Sequence, residues 1–292
     1  MNNYEKISVV IPTLGGHCLN DTIKKLNSGT FIPDEILLCI PEEDSNKLVT
    51  NNFNNVKILK TSFRGQVAQR AYGFRLAKNE LVLQLDDDIH LNYDCLETLV
   101  KFISKYPSCS VGPIFIDRNT NLQHSYLYKE KNQMSIFDKI SFYILNGKDG
   151  CIAASFSKAG IFMGLPLTND NFFDAGWLPG GCILHHKDNL IFNNYYPVSG
   201  KAYWEDLFLA DLLHEKGILL HRVGKAVCTV DFSANNDMNF FFFVKEFISV
   251  FKIANLYVKK NKFSGTRISL FIIFNSLTLV WNKFTANIKL KF

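Results

Sequence analysis

The chain has 292 residues, 47% of them hydrophobic and 20% charged, and a formal net charge of +5. That length suits one large α/β domain or two small ones, with a core that needs no disulfide or metal to hold it. So apolar a composition excludes disorder as the main state, because burial can offset chain entropy.

The first residues do not read as a secretory signal: Glu5 precedes the apolar run Ile7 to Ile11, which is itself too short. From there to residue 115, short apolar runs alternate with helical patterns. Strands are expected over Ile7–Ile11, Glu35–Ile40, Val56–Leu59, Leu81–Leu85 and Ser110–Phe115. Helices are expected near Asn20–Leu26, Gln66–Ala77 and Tyr93–Lys105. Such alternation predicts an α/β fold with a Rossmann-like, mostly parallel sheet covered by helices on both faces. Ligands of such sheets sit beyond the carboxyl ends of the strands. The residues there are Pro12-Thr13-Leu14-Gly15-Gly16, Pro41-Glu42-Glu43-Asp44 and Asp86-Asp87-Asp88.

Three consecutive aspartates repel one another unless a cation or solvent relieves them. Their hard oxygens suit Mg²⁺ or Mn²⁺. In extended backbone Asp86 and Asp88 would point one way and Asp87 the other. One could then hold a ribose hydroxyl and the other a diphosphate-bound metal. A solvated acidic turn capping the next helix is the simpler alternative.

Upstream, Gln66, Gln69, Arg70 and Gly73 share one helical face, and Val67, Ala71 and Phe74 share another that can pack on the sheet. The polar face reads as a nucleotide or diphosphate contact, or as an ordinary exposed face. Residues 117–150 carry no motif; an acceptor-side insertion or a structural hairpin and helix would fill them. In Trp177-Leu178-Pro179-Gly180-Gly181-Cys182 the glycines permit close approach of a ligand, and Trp177 offers a flat face to a sugar. A plain turn would look the same. Glu205-Asp206 opens a helix beginning after Trp204, where acids also favour the dipole. His185-His186 lacks a partner at zinc spacing. His221 and Asp231 are the residues from which a third metal ligand could come.

The seven cysteines, odd in number and without any CxxC pair, read as reduced, mostly buried thiols of a cytosolic protein. The tail differs from the body. From Met238 to Phe292, nine basic residues face Glu246 alone, so this segment carries +8 and leaves −3 for residues 1–237. Lys245, Ser249, Lys252 and Lys259 form one helical stripe beside Phe241, Phe243, Val244, Phe247, Ile248, Phe251 and Val258. That pattern suits a helix lying in an anionic membrane interface; a helix packed on the catalytic domain or in a homodimer is the alternative. The run Ile268 to Trp281 contains Asn275 and falls short of the roughly 20 residues a spanning helix needs.

In order and spacing, Val9-Val10-Ile11-Pro12-Thr13, Gly65-Gln66 through Arg70 and Gly73, Leu85-Asp86-Asp87-Asp88, Gly180-Gly181 and Glu205-Asp206 resemble glycosyltransferase family 2, enzymes of the GT-A fold. The resemblance spans Ile7 to Asp231. It implies an inverting transfer of a sugar from a UDP-, GDP- or dTDP-linked donor to an acceptor hydroxyl, with Mn²⁺ or Mg²⁺ as cofactor. By resemblance Pro12, Thr13, Gln66, Arg70, Asp86 and Asp87 serve the donor, Asp88 the metal, and Asp206 the catalytic base. Trp177, Gly180, Gly181 and Glu205 would lie by the donor sugar or acceptor. The chain departs from the pattern at Ile40-Pro41-Glu42-Glu43, where relatives place an aspartate, so Glu42 is assigned to the base or ribose. It departs again at Gln69-Arg70-Ala71-Tyr72-Gly73, where relatives often carry Arg-Asn-x-Gly.

The expected organisation is a catalytic domain over 1–237, with a donor half over about 1–116 and an acceptor half over about 117–237, and a membrane-associating tail over 238–292. A glycan or lipid-linked acceptor of surface polysaccharide synthesis fits that tail, with the enzyme peripheral on the cytoplasmic face of the plasma membrane and no nucleic acid as partner. A sugar nucleotidyltransferase would need a glycine-rich basic loop after the first strand, for which Gly15-Gly16-His17 is a poor substitute. A non-catalytic, membrane-bound partner keeping the fold is the other rival; Asp88 and Asp206 argue against it.

Overall fold

A computed structural model describes residues 6–48, 53–124, 129–148, 150, 153–164, 172–198, 200–232 and 240–289. The chain divides into two compact units: one from 1–124 and 168–237, the other from 125–167 and 238–292.

The first unit is built on a nine-stranded sheet. Its strands are β1 (Ile7–Pro12), β2 (Glu35–Pro41), β3 (Val56–Thr61), β4 (Leu81–Leu85), β5 (His90–Leu91), β6 (Cys109–Asp117), β7 (Phe172–Asp174), β8 (Cys182–His186) and β9 (Leu219–Val230). They lie in the order β3-β2-β1-β4-β8-β6-β9-β5, with β7 paired to β9. The helices of this unit are α1 (Leu19–Leu26), α2 (Gln66–Leu76), α3 (Cys95–Ile103) and, later in the chain, a helix over Glu205–Glu215.

The first four strands in space are parallel, as their apolar runs predict. Beyond them the sheet is mixed: β8 runs antiparallel to both β4 and β6, while β9 is parallel to β6. The reversal matters for the site. It brings the start of β8 to the edge where β4 ends, with Leu85 opposite Cys182.

β1, β2 and β4 are buried along their whole length, which is why they read as uninterrupted apolar runs. Val10, Leu37, Cys39 and Val82 pack with Phe74 and Ala77 of the α2 segment and with Leu190. Gly73 lets α2 come this close: a Cβ there would meet Val10 and stand 2.6 Å from the Cys39 sulfur. Cys39, Cys95, Cys109, Cys182 and Cys228 are buried free thiols and Cys18 is half-buried; Cys151 lies outside the described residues.

The second unit contains α4 (Ile136–Asn146), α6 (Phe240–Lys260) and α7 (Gly265–Lys289); the helix over Glu205–Glu215 is α5. α4 opens on a capping box, Ser135 and Asp138 exchanging side chain–backbone hydrogen bonds, and ends at Gly147 in the left-handed conformation. Part of the stretch without a motif is therefore helical. It groups with the tail rather than with the sheet, although its expected place was the catalytic domain. On α6, Lys245, Ser249, Lys252 and Lys259 are exposed as a stripe, while Val258, expected on the apolar flank, is buried with Ile253, Ala254 and Tyr257. The side chains of Phe241, Phe243 and Val244 lie outside the described residues. Among the described residues no helix is long and apolar enough to cross a membrane.

Candidate active site

The carboxyl ends of β1, β2 and β4, the start of β8 and the first turn of α5 collect the motif residues. The aspartates do not continue the strand. Asp86 to Ile89 form a turn, closed by the Ile89 N–H donating to the Asp86 carbonyl at 3.4 Å. The expectation that Asp86 and Asp88 point one way is thereby corrected, because a turn sends the three carboxylates apart.

Asp86 faces α2. Its Oδ1 accepts from Gln66 Nε2 and from Arg70 Nη2, each at 2.8 Å. Its backbone N–H donates to the Gly181 carbonyl at 2.8 Å. Asp87 turns back to β1, where the Thr13 hydroxyl donates to its carboxylate and the Thr22 hydroxyl to its carbonyl at 2.8 Å. The Thr13 oxygen in turn accepts from the Gly15 N–H at 3.0 Å. Asp88 points outward: its side chain is exposed, and Arg118 holds its backbone carbonyl at 3.2 Å.

Arg70 is the centre of the arrangement. It is 2% exposed, and its Nη1 donates to Glu205 Oε1 at 2.7 Å while Nη2 holds Asp86. The Tyr195 hydroxyl donates to the other Glu205 oxygen at 2.7 Å. The guanidinium therefore spans from the aspartate turn to the Glu-Asp pair, and it has no surface left for a ligand. The expectation of a direct donor contact is corrected for that reason. Gln69 is likewise buried, with its amide donating to the carbonyls of Thr13 (3.0 Å) and Cys39 (2.6 Å) and fixing the ends of β1 and β2.

Asp206 is half-buried at the start of α5, its Oδ1 accepting the Leu207 N–H at 3.0 Å. Burial and the adjacent Glu205 charge push its pKa up to about 7. Asp86 is raised to about 6 by burial, against the pull of Arg70. Asp87 is also raised, chiefly by burial, and Asp88 by partial loss of solvent at the turn and the neighbouring Asp87 charge. Trp204, just before the pair, holds φ 60° and ψ 19°, left-handed values uncommon for a bulky residue. Such geometry persists only where surrounding structure enforces it.

Gly180 and Gly181 sit against these carboxylates. A Cβ at Gly180 would collide with Glu205 Oε1; one at Gly181 would stand 2.5 Å from Ile89 and 3.0 Å from Asp86 Oδ2. The close approach expected for a ligand is thus taken by the protein's own acids. Trp177 is fully buried and shows no face to a sugar, which corrects the stacking expectation. Pro12 is buried at the end of β1. Glu42 is exposed after β2, 3.9 Å from Lys60, apart from the Arg70 network. His221 lies 2.6 Å from Asp174, and Asp231 accepts from Asn119 at 2.7 Å.

Three residues outside the motifs shape the site. Gln84, the polar break in Val82-Leu83-Gln84-Leu85, donates to the Gly180 carbonyl and ties β4 to the glycines. That break was the readable signal. Tyr195 and Thr22 gave none.

Among the described residues no group of three or more His, Cys, Asp or Glu side chains gathers to hold a metal ion. The one exposed acid of the turn, Asp88, fits an ion that keeps most of its ligands from water and a bound diphosphate, as Mg²⁺ commonly does.

A Rossmann-like half ending in an aspartate turn, followed by a mixed half carrying a Glu-Asp pair, is the layout of the GT-A fold. The family model for glycosyl transferase family 2 matches residues 8–158, and the chain belongs to that family. Among solved structures, GalNAc-T7 with UDP, GalNAc and Mn²⁺ is similar at TM-score 0.57 and 16% identity, over 80% of this chain and 45% of its own. The chain thus spans less than half of GalNAc-T7. S. aureus TarS 1-349 is similar at TM-score 0.50 and 15% identity, over 92% of this chain and 70% of its own; it is also solved with UDP-GlcNAc. The mannosyltransferase PcManGT from Pyrobaculum calidifontis, with GDP-Man and Mn²⁺, is similar at TM-score 0.51 and 11% identity, over 94% and 70% of the two chains. At these identities the likeness is one of fold. No curated protein matches the chain.

Proposed function

We propose that the protein transfers a sugar, with inversion, from a nucleoside-diphosphate sugar to an acceptor hydroxyl. The observation that carries this reading is the Asp86–Arg70–Glu205 chain of ion pairs, which fixes Asp206 relative to the aspartate turn. Family membership and the nucleotide sugars bound by TarS and PcManGT support the donor class.

Asp206 is the general base. An acceptor hydroxyl must lose its proton as it attacks the sugar's anomeric carbon, and a carboxylate with a pKa near 7 both takes that proton and remains ionised often enough to do so. Glu205 and Arg70 position it. Thr13 and Gln66 hold Asp87 and Asp86 so that the turn presents a fixed edge to the donor. Asp88 would hold a divalent cation, Mn²⁺ or Mg²⁺, which when bound offsets charge on the departing nucleoside diphosphate.

The acceptor in this proposal is a glycan or lipid-linked saccharide of surface polysaccharide synthesis, met on the cytoplasmic face of the plasma membrane. The lysine stripe of α6 and its exposed Phe247, Ile248 and Phe251 support that peripheral attachment.

Thermal stabilisation by UDP, GDP and dTDP, with and without Mn²⁺, tests the donor site, since a ligand bound only by the folded state raises Tm. One nucleotide should stabilise only with the metal, and Asp88→Ala should remove that dependence. No shift with any nucleotide would overturn the reading.

A further inference from the structure

In the second unit an open cavity of about 500 Å³ lies between residues 156–158 and the turn joining α6 to α7. Lys158, Lys262, Arg267, Ser157 and Ser264 line it with Phe156 and Phe263, and no carboxylate does among the described residues. Its walls are fixed. The Ser264 N–H donates to the Lys158 carbonyl at 3.1 Å and the Phe263 N–H to the Val258 carbonyl at 3.0 Å. Lys262 sits in the turn after α6 at φ 57°, and Ser157 is buried with its oxygen accepting the Ile161 N–H at 3.0 Å. Phe156, Tyr257 and Phe263 pack as a trio of rings at 6.2–6.4 Å. Lys158 and Lys262 form no ion pair among the described residues.

From this cavity a bare apolar face runs along α4 and α7. Arg267 donates to the Tyr143 and Ile144 carbonyls at 3.2 and 2.7 Å, and Phe137 meets Phe274 at 6.3 Å. The start of α7 therefore lies by the end of α4, and the two helices are antiparallel. Ile136, Ile140 and Tyr143 on α4, and Leu270, Ile273 and Leu277 on α7, are 41–74% exposed. At 100° per residue each set falls on the same rotational side of its helix's contact line (Phe137 and Ile144; Arg267 and Phe274). In antiparallel helices, equal rotational offsets face the same side of the seam. The six side chains thus make one surface, with the cationic cavity at its end.

We propose that this face lies on an anionic phospholipid bilayer, with lipid phosphate in the Lys158–Lys262 cavity and the α4–α7 residues among the acyl chains. Charge complementarity selects lipid over a second apolar copy, because a cavity lined by Lys158, Lys262 and Arg267 suits a phosphate diester and no apolar side chain. The proposal rests on the membrane reading above but assigns the contact to α4 and α7 instead of the α6 stripe alone.

The test is flotation of the full chain with vesicles of phosphatidylcholine, with and without phosphatidylglycerol. Binding should require phosphatidylglycerol, and Lys158→Gln with Lys262→Gln should weaken it about thirtyfold, from roughly a fivefold step per lysine. Ile140→Asp with Ile273→Asp should abolish it. Nucleotide stabilisation measured on the same variants should be unchanged, showing that they are folded. Loss on Lys252→Gln with Lys259→Gln, but not on the cavity pair, would leave the membrane reading standing and overturn this one. Stabilisation by soluble glycerophosphate without vesicle binding would make the cavity a site for free phosphate and overturn the lipid assignment. A dimer in light scattering that Ile140→Asp with Ile273→Asp dissociates, without vesicle binding, would make the occupant a second copy and overturn it too.

Discussion

Arg70 and Glu205, 135 residues apart in sequence, meet at 2.7 Å between groups that are almost wholly buried. The arginine also holds Asp86, so one guanidinium balances two acids from opposite halves of the fold. Removing one partner of such a buried group strands charge, which costs more than the intact pair contributes. Arg70→Met should therefore destabilise the protein by about 3–5 kcal/mol in urea unfolding. Adding Glu205→Gln should recover part of the loss, because one stranded charge is gone. A double variant as unstable as the sum of the two single changes would contradict this coupling.

The pH dependence of turnover follows from Asp206. With its pKa pushed up to about 7, kcat/KM should rise as pH increases through that value and the carboxylate ionises. Glu205 is, after burial, the main cause of the rise. In Glu205→Gln the acidic limb should move to lower pH even as the rate falls. A limb that stays in place would assign it to another group.

Gly180→Ala would press a methyl group into Glu205, and Gly181→Ala into Ile89 and Asp86. Each should cost about 1–3 kcal/mol of stability, the range for overpacked sites. Turnover should fall further, because what must move is the group that positions Asp206. Wild-type turnover in Gly180→Ala would show that Glu205 is free to shift.

His185 supplies a stability test remote from the chemistry. It is buried in β8, its Nδ1 2.8 Å from the Ser110 hydroxyl, and burial lowers its pKa from 6.5 to about 3. The unfolded chain takes up a proton below pH 6.5 that the folded chain refuses until about pH 3. Its contribution is thus present above 6.5 and lost as pH falls. Relative to His185→Leu, the parent should lose about 2 kcal/mol between pH 7 and pH 5, measured by urea unfolding. A constant difference between the two would show that His185 is charged in the fold.

The parallel half of the fold was legible because β1, β2 and β4 are buried on both sides and leave uninterrupted apolar runs. The reversal at β8 was not, since four buried residues in a row read the same in either direction. The motif residues do converge, and the sequence reading named every acid in the cluster. What it missed is who faces whom. Arg70 and the glycines look like ligand contacts in a one-dimensional pattern; only long-range pairing shows that they hold Glu205 and Asp86. Trp177 misled for a related reason, because an aromatic beside Pro-Gly-Gly reads alike whether buried or open, and here it is core. Tyr195 carried no signal, since a loop tyrosine gains its meaning from the carboxylate it meets.

The most direct test of the account is sugar transfer by Asp206→Asn, measured beside metal-dependent nucleotide stabilisation of the same variant. Asparagine keeps the shape and cannot take the acceptor's proton. Nucleotide stabilisation should persist while transfer from a nucleotide sugar to the acceptor falls by about 10²–10⁴-fold, the range for loss of a general base. Transfer at the parent rate, with the nucleotide still bound, would contradict it.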